Sequence, residues 1–443
     1  MYGRRDQVQA HSFLVDRLVS AVLRADPDSA ERPLRRTSVG LLSGVVVGCV
    51  VIAIVLVVTL LSGRGSTKWR EPGTLVVDED TGNRYLFIDN RLRPVLNFAS
   101  ARLLLGSGMK VAKVRTRDLG GTSQGTAIGI PGAPDSMPSR SAPQAWTVCA
   151  GTQQDRTVLT LTVGEVPGWS AAGPQAVLVR AGGDLHMVWR DRRFRVTATW
   201  APRALGLDPD TAREVDPAWL NALSAGPDLG ALKLERGGQG PVVGGMPTTA
   251  GQLVTVPDAV GDTAYVVAPA GLVPVTPTVA ALAAADPAAK STPQLEITPA
   301  QLAEQPVLPA PEWQARLPPA PPSPMNTTEQ APCVRWADDR ATLVTAPLPS
   351  GPGRGADPPG ITRDDRVADR VEIAPGAGVL ARTRPAPGVP GAGLYLITET
   401  GAKFPVASSD AATALGLPVE SAQPVPADLL ALLPTGPVLD RIT

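Results

Sequence analysis

Three groups of residues have the types from which chemistry could be built. Gly120, Gly121 and Gly125, and separately Lys290, Ser291 and Thr292, are the pieces of a Walker-type phosphate loop. Such a loop needs them in one string ending in Gly-Lys-Ser/Thr, so that backbone N–H groups cradle the phosphates and the lysine reaches them. Here the glycines lack the following lysine, and no glycine stands before Lys290. A Ser-His-Asp triad would have to use His186, because the other histidine, His11, lies near the N-terminus. His186 sits within a strand-like run, where its role is packing. The same count defeats a histidine-based metal site. Asp78, Glu79 and Asp80 lack the longer ligand spacing of a calcium loop and read as turn residues. The reading is therefore of a chain with no catalytic, cofactor-binding or metal-binding residue, and no cofactor.

The elements that would position any site begin with a membrane anchor. Between Thr37 and Gly63 there is no Asp, Glu, Lys or Arg, and Val39 to Leu61 is long enough for the roughly 20 residues that cross a bilayer. A buried helix of a soluble domain needs a polar face. A cleaved signal peptide has a shorter apolar part and a small-residue cleavage site. Arg24, Arg32, Arg35 and Arg36 outnumber Arg64, Lys68 and Arg70 by one, which places the N-terminus in the cytoplasm and the C-terminal part outside. Before the span, Val8, His11, Leu14, Val15, Leu18, Val19, Val22 and Leu23 recur at helical spacing up to the stop at Asp26, Pro27 and Asp28. This amphipathic helix is too short for a core of its own. Its stripe, with Leu14, Leu18 and Val22 at the centre, is expected to bind a partner protein, the membrane surface being the alternative.

Beyond the span, 47 prolines and 44 glycines favour short strands joined by turns. Zero net charge argues against a nucleic-acid partner. Leu75 to Val77, a turn at Asp80 to Asn83, Tyr85 to Ile88, a turn at Asp89 and Asn90, and Arg91 to Leu96 form a unit that a short helix, Asn97 to Leu105, completes before Gly106. The unit recurs around Gly182–Val188, Gly261–Val267 and Gly393–Ile397. Three copies end in a short helix seeded near Pro217, Pro299 or Pro426. The expected fold is α+β and β-rich. A cytoplasmic helix and basic flank (1–38) and a transmembrane helix (39–62) precede repeats at 69–138, 174–240, 251–308 and 378–443. These surround a central β domain made from two chain segments, 139–173 and 331–377, with a Pro-rich linker at 309–330. Pro309 to Pro324, Gly351 to Pro359 and Pro385 to Gly393 are expected to be exposed connections.

Of three cysteines, Cys49 lies in the span, which leaves Cys149 and Cys333 in the exported part. An oxidising compartment favours joining them rather than leaving two free thiols. Closing a loop that long stabilises the fold by roughly 4–5 kcal/mol on the chain-entropy account.

Several strings also resemble the EccB family, a membrane core component of type VII (ESX) secretion systems. These are Arg4–Ala10, Pro33–Arg36 before a single span, Trp69, Arg70, Pro72 and Gly73, Asp80–Gly82 with Arg84 and Tyr85, Pro94–Asn97 with Ala99–Arg102, and Gly129–Ser136 with Pro138. The resemblance covers essentially the whole chain and implies four repeats around a central domain crossed by one disulfide, falling on Cys149 and Cys333. It implies a structural, non-enzymatic subunit that works with an EccC-type ATPase, EccD and EccE to export small helical WxG-type proteins, and whose exported domain pairs with copies of itself. Some relatives carry an ATPase label that the missing phosphate loop does not support. The alternative is a membrane-anchored protein that binds cell-wall glycan, for which a cluster of surface tryptophans would be the sign.

Overall fold

A computed structural model of the chain describes residues 3–24, 33–62, 67–141, 144–153, 156–258, 261–289, 292–347, 357–384 and 393–442. The helix stop at Asp26–Asp28, Lys290 and Ser291, and most of the connections expected at 351–359 and 385–393 lie outside the described residues. Helix α1 spans Arg4–Arg24 and helix α2 spans Pro33–Ser62. Proline at the first position of α2 forfeits no helical hydrogen bond, so the helix starts six residues ahead of the apolar run. Its Val39–Val58 stretch is apolar and wholly uncovered by the rest of the chain, as a lipid-facing helix is.

The first module is a meander of β1 (Thr74–Asp78), β2 (Arg84–Ile88) and β3 (Arg91–Pro94), turned at Asp89 and Asn90, both with positive φ. Helix α3 (Phe98–Leu105) follows, started by the Asn97 side chain accepting the Ser100 N–H and ended at Gly106 with φ 82°. The chain then returns as β4 (Lys110–Val114), parallel to β1, giving the order β3-β2-β1-β4.

The same order recurs three times. Gln175–Ala181, Asp184–Trp189 and Arg192–Arg195 are closed by Arg213–Glu214; Leu253–Val256, Thr263–Ala268 and Gly271–Val275 by Leu295–Glu296; Ala377–Arg384, Leu394–Thr398 and Lys403–Val406 by Gln423–Pro426. Each closing strand runs parallel to the first strand of its module. A short helix follows every time: Thr116–Leu119, Pro217–Asn221, Pro299–Ala303 and Ala427–Ala431. The closing helix thus occurs in all four modules, one more than expected from sequence. In the last, Pro426 caps the helix rather than occupying its first turn.

Modules pair through their middle helices. Ala99 and Leu103 of the first meet Ala411, Ala412 and Leu415 of the fourth; Ala201 of the second meets Val279 and Leu282 of the third. Alanines let these helix axes approach closely. Between the pairs lies a six-stranded sheet in the order 370–373, 156–163, 146–153, 331–337, 340–346, 170–171, drawn from two separate passes of the chain. Trp146, Val148, Leu159 and Leu161 of this sheet are buried with Trp219 of the second module and Leu429 and Leu433 of the fourth. The Trp219 indole N–H donates to the Val148 carbonyl at 3.1 Å, so closing helices plug into the sheet.

One expectation fails. The stretch from Pro309 to Pro324 is no exposed connection without regular structure. It forms a 3₁₀ turn at Glu312–Arg316, buries Gln314 and Leu317, and lays Ser323–Pro324 parallel against Gln175–Ala176. Prolines lack a donor but keep apolar rings and carbonyls, and the Gln314 amide supplies the missing bonds: it donates to the Pro274 carbonyl and accepts the Thr276 N–H. The segment is a strap that binds the second and third modules. A hairpin, Gln239–Val243 with Met246–Thr249, precedes the third module. Its turn residues, Gly244 and Gly245, both have positive φ, and their pairing between apolar runs is the sequence signal that could have found it.

Candidate functional site

The side chains that could act on a partner lie on α1, and a covalent clasp holds the central sheet. On α1, Leu14, Leu18 and Val22 fall four residues apart and share one face. They are 59%, 63% and 82% exposed, so the molecule itself does not cover this stripe. Arg17 stacks over Phe13 at 5.9 Å. The arrangement is that of a helix prepared to lay an apolar face against another surface.

Cys149 and Cys333 are brought together. They stand directly opposite each other on adjacent antiparallel strands of the central sheet, with Cα atoms 4.0 Å apart, and form a disulfide across 184 positions of sequence. Both are buried. The bond joins the two chain passes that make the sheet, and everything between them, including the second and third modules, is closed into one loop. Cys49 is a free, exposed thiol on α2.

Residues considered for chemistry are dispersed and structurally employed. The Asp78 carboxylate accepts hydrogen bonds from the hydroxyls of Thr81 and Thr116, each at 2.8 Å, and from the Asp80 N–H at 3.0 Å. Burial opposes its charge, and the bonds from Thr116, Thr81 and the backbone of Asp80 and Thr81 outweigh that, holding its carboxyl below the usual range. Asp80 accepts the Thr116 N–H at 2.9 Å. These carboxylates therefore start the Thr116–Leu119 helix, which has no proline to seed it. His186 pairs in register with Val179 and Arg195, and its Nδ1 lies 3.3 Å from the Asp184 carbonyl. Partial burial depresses its pKa, against the raising effect of Asp184. Gly120 and Gly121 follow the Thr116–Leu119 helix, and Gly125 bonds back to the Leu92 carbonyl.

Sequence reading missed a cleft of about 520 Å³ between the Arg190–Asp191 turn and the edge strand of the central sheet, lined also by Arg335, Asp338 and Arg340. Arg335 pairs with Glu165 at 2.9 Å and covers the Trp169 ring at 4.7 Å. Trp169 is the one exposed tryptophan of eight; Trp69, Trp146, Trp189 and Trp219 are buried and the other three half-buried. No platform of exposed indoles is formed.

With this geometry in hand, comparison with known proteins is specific. The chain is 28% identical to the ESX-5 secretion system ATPase EccB5 of Mycobacterium tuberculosis, over 99% of this chain and 92% of that protein. It is equally identical to the ESX-3 secretion system ATPase EccB3 of Mycolicibacterium smegmatis, over 99% and 89%. Among solved structures it resembles a chain of an intact ESX-5 inner membrane complex with a TM-score of 0.68 at 28% identity, over 100% of this chain and 94% of that one. It also resembles the EccB3 dimer from the ESX-3 core complex, with a TM-score of 0.67 at 25% identity, over 83% and 98%. The family model described as type VII secretion system ESX-1, transport TM domain B, matches residues 2–443, and the chain belongs to that family, EccB.

Proposed function

We propose that this protein is a structural core subunit of a type VII secretion complex in the cytoplasmic membrane, supporting export of small helical WxG-type proteins. The observation that carries the reading is the match of the whole chain, anchor and exported modules together, to a subunit of an ESX-5 inner membrane complex. The uncovered stripe of α1 fits it. Leu14, Leu18 and Val22 are the contact to partner subunits on the cytoplasmic side, the EccC-type ATPase with EccD and EccE, and α2 is the single crossing. The exported part, four modules at 69–138, 174–240, 251–308 and 378–443 around the central domain, associates with further copies of itself, in keeping with the EccB3 dimer that it resembles.

The role is non-enzymatic, although relatives are named ATPases: the sequence contains no Gly-Lys-Ser/Thr string. The test is secretion. Cells lacking the protein stop exporting their small helical WxG-type proteins, and expression of the full chain restores export. Unchanged export in the deletion strain contradicts the proposal.

A further inference from the structure

We propose that the cleft at the edge of the central sheet takes an extended peptide segment of a partner protein as an added strand. The edge strand, Arg340–Ala346, is covered on its outer side only in part. Ser170 and Ala171 pair with Thr345 and Val344, and the Ala172 N–H donates to the Leu343 carbonyl at 3.1 Å. The Leu343 N–H donates across to the Arg190 carbonyl of the second module at 2.6 Å. Leu343 therefore turns its main-chain groups away from the neighbouring strand, Ala331–Ala337. Inward and outward positions alternate along an antiparallel strand, so Ala341, two residues earlier, turns outward as well. Among the described residues nothing bonds to the Ala341 N–H or C=O. Both open toward the cleft that Ala341 lines.

An unpaired strand edge is a template for another strand, and the surroundings select a single peptide. At about 520 Å³ the cleft has the size of a ligand site. The Arg190–Asp191 turn and Asp338 flank it, so it admits one segment rather than a second sheet. A Cβ added at Gly173, also in the lining, would meet nothing within 4 Å, which leaves that side open. The charges are of both signs. Arg335 is held by Glu165 at 2.9 Å and Asp191 lies 3.8 Å from Arg192. Arg190, Arg340 and Asp338 form no ion pair among the described residues, and Arg190 is steadied over the Trp189 ring at 4.4 Å. Two cations with one carboxylate, beside a free main-chain donor and acceptor, fit a polypeptide better than a simple anion. In strand addition the main chain supplies affinity and alternate side chains supply specificity. Here Ala341 pairs with the backbone of the segment, and an acidic side chain of the segment meets Arg340.

The probe is a short synthetic peptide of alternating valine and aspartate, blocked at both ends and added to the full-length chain in mild detergent. Main-chain pairing tolerates many sequences, so exchange of the Ala341 amide is expected to slow at least about two-fold at about 1 mM peptide. The same peptide with every amide N-methylated cannot donate to the Ala341 carbonyl and is expected to bind about tenfold more weakly. Arg340→Glu, at an exposed position, is expected to reverse the preference, so that a valine–lysine peptide protects the Ala341 amide better than the valine–aspartate one. No slowing at Ala341, slowing that the methylated peptide reproduces, or a preference that Arg340→Glu leaves unmoved overturns the proposal. Displacement of the peptide by free acetate marks a simple carboxylate site and overturns it too.

Discussion

Replacing both disulfide cysteines, Cys149→Ser with Cys333→Ser, perturbs the one covalent link between the two passes of the central sheet. On the chain-entropy relation, a closed loop of 184 residues removes about 18 cal/mol/K from the unfolded chain, or about 5 kcal/mol at room temperature. Both cysteines are buried and stand opposite each other in a regular antiparallel ladder, so the link ties the two passes together at the centre of the sheet. Urea unfolding of the full chain in mild detergent, followed by tryptophan fluorescence, reads it out, since Trp146 lies on the clasped strand itself. The double variant unfolds at lower urea than oxidised wild type. Reductant during unfolding brings wild type down to the variant and leaves the variant unmoved. A variant that unfolds with oxidised wild type, or a wild type indifferent to reductant, refutes the claim that this bond holds the two passes together.

The remaining predictions are more local. Asp286 is buried, and Arg236 Nη2 sits 2.6 Å from its carboxylate. Arg236→Ala is expected to cost about 2–3 kcal/mol, seen as faster hydrogen exchange in the third module. That hydrogen bond from Arg236 is the chief cause lowering the Asp286 pKa from 3.8, so the stability it supplies is complete above about pH 4 and is lost as pH falls through the lowered folded value. Leu14→Asp with Leu18→Asp leaves the protein in the membrane but weakens capture of its partners at least 100-fold, given about 1.5–3 kcal/mol for each buried leucine; undiminished capture removes the stripe from the interface. Purified protein releases no phosphate from ATP above a mock preparation, and turnover that follows the protein through purification contradicts the non-enzymatic reading.

Long, strongly patterned segments were legible. Fifteen apolar side chains without a charge announce α2, and the glycine and asparagine turns announce the meanders. The β-branched, aromatic and small apolar residues at Trp146–Cys149 and Cys333–Trp336 suit the strands they form in the central sheet. The closing strands were not legible. Arg213–Glu214 and Leu295–Glu296 are two residues long, too short for any period, and exist because the first strand of each module offers an open edge. The helix at Thr116–Leu119 was missed because its start is a tertiary cap from Asp78 and Asp80 rather than a proline. The strap through Gln314 was misjudged because composition records prolines and not the amide that satisfies the neighbouring backbone. Pairing of the first module with the fourth depends on Ala99 meeting Ala411 and Ala412 across more than three hundred positions, which no local pattern encodes. The stripe on α1, by contrast, was fully visible, since helical spacing alone puts Leu14, Leu18 and Val22 on one face.

The most direct measurement is purification of the tagged full-length protein from its own cells in mild detergent, with mass spectrometry of what accompanies it. Membership in a secretion complex predicts recovery of an EccC-type ATPase and multi-span membrane partners, lost when the residues before Val39 are deleted. Recovery of the protein alone, with the part that follows α2 retained by purified cell wall, contradicts it.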